Sequence, residues 1–153
     1  MKRLADTNIA VLDSAQDQLL SRWIERDRNL DAYDSRIRQL FCRFIPVGGV
    51  VLDGGAFIGD HTVAYAELAG PQGRIIACEP MPDAFEVLRV NTEHLSQVDV
   101  RCVALGAKIG TMNIQINRYN PGASSLTVPL ADEGIVPVIT IDSLALSHAD
   151  YIK

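Results

Sequence analysis

Residues 50–62, Val-Val-Leu-Asp-Gly-Gly-Ala-Phe-Ile-Gly-Asp-His-Thr, constrain the fold more than any other stretch of the chain. Three apolar residues run into Asp53. Gly54, Gly55 and Gly59 follow, and then a helix-like segment. A short apolar run broken by glycines reads as a buried parallel strand entering a tight turn. Glycine has no Cβ, so backbone N–H groups in such a turn can approach a ligand closely. An acid at the strand end, with glycines two and six positions later, suits a cationic nucleoside that carries an amino acid. A triphosphate loop would want Gly-x-x-x-x-Gly-Lys-Ser/Thr, and no lysine lies here. The dinucleotide fingerprint wants glycines at positions 1, 3 and 6, which Gly54, Gly55 and Gly59 do not supply. Taken alone, the loop is also compatible with an ordinary strand–turn–helix.

Glu79 adds the second constraint. Gly70-Pro71-Gln72-Gly73 is a turn, and Arg74 to Cys78 reads as the next strand, ending at Glu79-Pro80. Glu79 therefore stands one strand–helix–strand unit after Asp53, at the carboxyl end of a parallel strand, where open α/β sheets bind ligands. A carboxylate there accepts both hydroxyls of a ribose. It supports a nucleoside without naming it, and the alternative is an acid capping the helix expected over 82–94. Pro80 and Pro82 set the turn into that helix, and Asp83 and Glu86 favour its start.

The remaining elements follow in chain order. Residues 13–28 read as a helix capped by Asp13 or Ser14, with Leu19, Leu20, Trp23 and Ile24 on one face. Residues 30–44 read as a second, with Leu30, Tyr33, Ile37, Leu40, Phe41 and Phe44 recurring at three to four positions, ended by Pro46, Gly48 and Gly49. Trp23 and Tyr33 are expected in the core. Residues 60–69 read as a helix, with Asp60 favourable in its first turn and His61 and Thr62 beside it. Residues 98–103 alternate as a third strand. A flat base is expected to lie against Val103 and Ala104 as the chain leaves it. Residues 111–117 alternate as a half-exposed antiparallel strand, 118–134 read as a loop of a length often functional, and 136–141 as another strand. Asp142-Ser143-Leu144 begins a turn or short helix, and Tyr151-Ile152-Lys153 opens one more strand. A domain rarely stops on an unpaired edge, so the chain is expected to be incomplete at this end and prone to self-association.

The length of 153 residues supports one core. Two units are expected within it: residues 1–45 as an N-terminal helical flank and 46–153 as the α/β ligand-binding domain. Charge separates them. Residues 1–45 carry 8 Lys/Arg and 7 Asp/Glu, for +1, and the rest carry 6 and 12, for −6. No basic run marks a nucleic-acid or anionic-membrane partner. Cys42, Cys78 and Cys102 each sit in an apolar run, and their odd number argues for buried free thiols in a reducing cytoplasm. The charged N-terminus, with no long apolar run after it, reads as neither signal peptide nor membrane span.

The whole pattern resembles the FkbM family of S-adenosylmethionine-dependent methyltransferases. The matching pieces are Val51 to Thr62, Gly70-Pro71-x-Gly73 to Pro80, Phe85-x-x-Leu88-x-x-Asn91, Ala104-Leu105-Gly106, Ser124-Ser125-Leu126, Ile139 to Leu144 and Asp150-Tyr151-Ile152-Lys153, over roughly residues 33–153. The resemblance implies an α/β fold: a Rossmann-like class I methyltransferase sheet in three α/β/α layers, mostly parallel with one antiparallel strand. Family members continue past a lysine like Lys153 with Ile-Asp-Val-Glu-Gly, which is absent here. The resemblance also implies S-adenosylmethionine as cofactor and methyl transfer to an oxygen of a small molecule or sugar; the exposed strand edge makes a homo-oligomer an option. Cofactor contacts are expected from Asp53, Gly54, Gly55, Ala56, Phe57, Gly59, His61, Thr62, Glu79 and Pro80, beside Val103 and Ala104. No catalytic base is assigned, His61 being a candidate only. The competing expectations are a nicotinamide (NAD)-dependent oxidoreductase that uses Glu79 for its ribose, and a truncated cofactor-binding domain without activity.

Overall fold

The structure is a computed structural model, and it describes residues 2–3, 10–12, 39–117, 119–127 and 136–153. The helix expected over 13–28, with Trp23, and most of that over 30–44, with Tyr33, lie outside the described residues.

Strand β3, Val50–Gly54, is the centre of a four-stranded parallel sheet. Helix α1, Asp60–Ala69, follows it and leads to β4, Arg74–Cys78. Helix α2, Pro82–Thr92, leads in turn to β5, Val98–Arg101. The fourth member, β10, is Tyr151–Ile152. Spatial order is β10-β3-β4-β5, so the chain winds outward from β3 in one direction and later returns to its other side. That reversal at β3 is a topological switch point of a Rossmann-like α/β sheet, where ligand crevices open beyond the carboxyl ends of the strands.

Strand alternation sorts the core. Val51, Ile75 and Val98 face α1, whose Ala64, Tyr65, Ala66 and Ala69 are buried with them. Ala77 and Val100 face Leu88 and Phe85 of α2. Leu52, Ile76 and Cys78 face the other way, onto Leu105, Ile139, Leu144 and Leu146. Among the described residues that face is covered by the 3-10 turn Asp142–Leu144 and by the edge of a second sheet.

That second sheet has the order β6-β9-β7-β8. It comprises β6 (Ala104–Leu105), β7 (Gly110–Gln115), β8 (Ser125–Thr127) and β9 (Val136–Ile139). The strand expected over 98–103 thus breaks after Arg101, and Ala104 passes to a different sheet, paired in parallel with Val138. β7 is antiparallel to both neighbours, as its alternation foretold. The loop expected over 118–134 contains structure: a 3-10 turn at Pro121–Ala123, then β8.

Two short strands precede all of this, β1 (Lys2–Arg3) and β2 (Ala10–Val11), paired antiparallel. Asn91 of α2 holds β2 in place. Its amide donates to Ala10 O at 2.9 Å and Ile58 O at 2.7 Å, and its oxygen accepts from Ala10 N at 2.6 Å. A buried side-chain amide with three partners is well satisfied, and here it ties the N-terminal ribbon to the glycine turn.

At residues 39–44 only Phe41 is buried, wedged against Tyr65 and Tyr151, while Leu40 and Phe44 are exposed. Cys78 is buried and Cys102 half-buried, but Cys42 is exposed, contrary to the expected buried thiol, because it lies in the turn after residue 41. Among the described residues no helix is long and apolar enough to cross a membrane.

Candidate functional site

Beyond the carboxyl end of β3 the backbone makes two left-handed steps, at Gly55 (φ 72°) and Phe57 (φ 53°), and a third at Gly59 (φ 87°). Gly55 is exposed, and a Cβ added there would meet nothing within 4 Å. Its N–H and that of Ala56 both donate to Cys78 O, at 2.9 and 3.1 Å, which pins the turn to the end of β4. Gly59 differs. A Cβ there would sit 2.6 Å from Leu88 Cδ1, so this glycine lets α2 approach the turn and does not itself border open space.

A bulky residue in the left-handed region costs about 1–3 kcal/mol and needs its surroundings to hold it there. For Phe57 the holder is Glu79, whose Oε2 accepts from Phe57 N at 2.8 Å. Glu79 Oε1 accepts from Met81 N, also at 2.8 Å, at the residue that starts α2. Glu79 is thus a bridge between the two loops that leave β3 and β4, buried to 6% exposure. Its bond from Met81 N steadies the entry to α2, although no side chain caps the helix itself. Each oxygen accepts one backbone bond, and a carboxylate offers about four lone-pair positions, so each keeps one for a ligand hydroxyl. Burial pushes its carboxyl above the ordinary 4.5, opposed by the bonds from Met81 and Phe57 and by the charge of Lys153.

Next to Gly55 and Glu79 lies a hollow of about 100 Å³. Phe57, Pro80 and Met81 line it on the parallel-sheet side; Ile114, Pro121, Gly122, Ser124, Ser125 and Leu126 line it from the β7–β8 hairpin. The hollow is smaller than the roughly 300 Å³ at the low end for a drug-sized ligand. It suits one flat moiety of a longer molecule, with the rest lying over exposed Gly55. These residues fit an adenosine-bearing cofactor: a carboxylate with lone pairs to spare, an open glycine cradle, and apolar walls from Met81, Ile114 and Leu126.

Asp53 is placed differently from expectation. Its side chain is fully buried at 0% exposure, so a ligand cation does not reach it directly. Thr62 Oγ1 donates to its Oδ2 at 2.6 Å, and Lys153 Nζ donates to its Oδ1 at 2.9 Å. Burying an unpaired carboxylate would be very costly, and these two donors supply the pairing. Lys153 also donates to Gly55 O, at 3.1 Å. The β10–β3 register brings it there. Tyr151 pairs with Val51 and Ile152 with Leu52, and the ladder runs on through Lys153 N to Leu52 O and Gly54 N to Lys153 O.

Gly54 and Ala56 flank Gly55 in the turn, Ala56 buried, and Pro80 lines the hollow. His61 points elsewhere: its ring packs against Phe41 and Tyr65, and its Nδ1 lies 3.5 Å from the Tyr65 hydroxyl. Burial, with the charge of Asp53 and the neighbouring Tyr151, raises the Tyr65 hydroxyl far above the usual tyrosine range. Val103 packs on Leu52, Ile76, Cys78 and Leu144, and Ala104 is buried with Val136 and Val138; neither lines the hollow. The hairpin wall and the Lys153 contact were not foreseen as site features, although Ser124-Ser125-Leu126 and Lys153 both belong to the stretches that carry the family resemblance.

No protein-family model matches the chain, and a search of curated proteins finds no match. Among solved structures it is similar to a methyltransferase from Geobacter sulfurreducens, with 17% identity over 63% of this chain and 52% of that one, at a TM-score of 0.43. It is similar also to a SAM-dependent O-methyltransferase from Thermotoga maritima, with 19% identity over 46% of this chain and 27% of that one, at a TM-score of 0.41. A third is Aeropyrum pernix fibrillarin with natively bound S-adenosyl-L-methionine, at 20% identity, 40% and 26% coverage, and a TM-score of 0.39. The part of the chain that matches thus spans about a quarter to a half of the length of these proteins.

Proposed function

We propose that this chain carries the cofactor-binding part of an S-adenosylmethionine-dependent methyltransferase of FkbM type, which methylates an oxygen of a small molecule or sugar. One observation carries the reading. Glu79 and the open Gly55 turn stand at the carboxyl ends of adjacent parallel strands, beside the switch point of the sheet and around one hollow.

When bound, S-adenosylmethionine supplies an electrophilic methyl group on a sulfonium. The residues of this chain bind and align it. Glu79 would accept the ribose hydroxyls on the lone pairs that Phe57 N and Met81 N leave free. Met81, Ile114 and Leu126 would hold the base and keep water from it, and the backbone at Gly54, Gly55 and Ala56 would hold the amino-acid end. Asp53 and Thr62 contribute indirectly, by fixing the first turn of α1 against the end of β3. Methyl transfer of this kind depends mainly on holding acceptor and donor in line.

Titration calorimetry with S-adenosylhomocysteine and with NAD tests the reading. The adenosyl ligand is expected to bind and NAD to bind weakly or not at all, because the glycines do not have dinucleotide spacing. Tighter binding of NAD would overturn it.

A further inference from the structure

Lys153, one residue past β10, reaches the turn from the far side of β3. Its ammonium is held at two points, Asp53 Oδ1 and Gly55 O, at 2.9 and 3.1 Å. A lysine ammonium has three donors, so one remains. Its side chain is 32% exposed while that of Asp53 is 0% exposed, so a ligand over Gly55 meets the cation and not the acid. Gly55 itself borders the hollow and is open above. Lys153 also lies close enough for its charge to act on Glu79.

We infer that Lys153 is a specificity-determining residue that binds the carboxylate of the ligand's amino-acid end. This rests on the adenosyl-cofactor reading and adds a chemical requirement to it: the group over Gly55 is an anion. Asp53 then acts as a positioning residue. It accepts one Lys153 N–H and pairs the ammonium from the buried side, so that the donor left over is available to a ligand. The arrangement predicts discrimination between two adenosyl ligands that differ only by a carboxylate.

The experiment measures affinities of S-adenosylhomocysteine and of its decarboxylated analogue by calorimetry. The unaltered chain is expected to prefer the carboxylate-bearing ligand by about 10- to 100-fold, the range of a charge-assisted hydrogen bond. In the double variant Lys153→Met with Asp53→Asn, which leaves no buried charge unpaired, that preference is expected to fall to within about threefold, with Lys153→Arg retaining most of it. Thermal melts establish that each variant is folded, and the comparison of ligands on the unaltered chain stands even where one is not. No preference in the unaltered chain, or a preference that survives in the folded double variant, overturns the assignment to Lys153 alone. Binding of neither ligand overturns the cofactor reading and the assignment with it.

Discussion

Glu79→Ala is the most informative single change, because it separates a side chain that merely waits for a ligand from one that holds the loops together. Alanine removes the acceptor of two N–H groups, that of Met81 buried and that of Phe57 half-buried, each bonded at 2.8 Å. Stranding a buried donor costs about 1–3 kcal/mol, so the pair sums to about 2–6 kcal/mol. Relief works against this loss. Burial holds the Glu79 carboxyl above its ordinary value, so deleting it also removes a desolvation cost. A net loss of about 2–4 kcal/mol is expected, a large part of the roughly 5–15 kcal/mol that stabilises a domain. Urea denaturation followed by circular dichroism measures it. Glu79→Gln, which keeps one carbonyl acceptor, is expected to fall between the two. The pH dependence has a definite sign. A carboxyl raised in the folded state contributes stability that is complete below the unfolded value and lost as pH rises through the folded one. The unaltered protein is therefore expected to gain on Glu79→Gln as pH falls from 7 toward 4.5, the ordinary value. A Glu79→Ala protein as stable as the parent to within about 0.5 kcal/mol, whatever its affinity for S-adenosylhomocysteine, would refute the bridging role.

Two further changes test the packing. Gly59→Ala forces a Cβ to 2.6 Å from Leu88 Cδ1 at a φ of 87°; left-handed strain and overpacking together are expected to cost about 2–5 kcal/mol by the same denaturation. Thiol alkylation of the native protein is expected to label exposed Cys42 first and to spare Cys78, whose thiol burial pushes up to about 11; mass spectrometry after a timed quench reads the order, and early labelling of Cys78 would contradict the packed sheet.

Much of this fold was legible because its signals are local. The apolar runs at 50–52 and 75–77 lie between glycines and acids, and α1 begins after Gly59 and ends at Gly70, so its bounds could be read directly. Asp53 and Glu79 were visible for a similar reason: an acid where an apolar run stops has few structural excuses. What escaped depends on partners far away in sequence. Nothing near Asp53 announces that Lys153 neutralises it, nor does anything near Ala10 announce Asn91. β8 is three residues long and exists through its pairing with β7, so period-2 alternation had too little to act on. Phe57 carries no mark of its left-handed backbone, because the hydrogen bond to Glu79, not residue preference, holds it there. Val103 and Ala104 were misplaced by reading one strand where the chain breaks and changes sheets.

Pairing of β10 with β3 joins Tyr151 to Val51, 100 positions apart (151 − 51), whereas β4 reaches β3 over 24, Val51 to Ile75 (75 − 51). That is about two doublings of loop length, each worth about 0.6 kcal/mol of closure entropy, or about 1.2 kcal/mol in all. Contacts between distant positions also slow folding. The two halves of the crevice are therefore expected to mature at different times. Gly55 and Glu79 come together with the compact β3–α1–β4–α2 unit, while Lys153 arrives only when the longest loop among the described strands closes. Until then Asp53 has Thr62 but lacks its cation. A molecule that engages both halves would act on the folding reaction itself, favouring the late closure that the chain alone makes slowly.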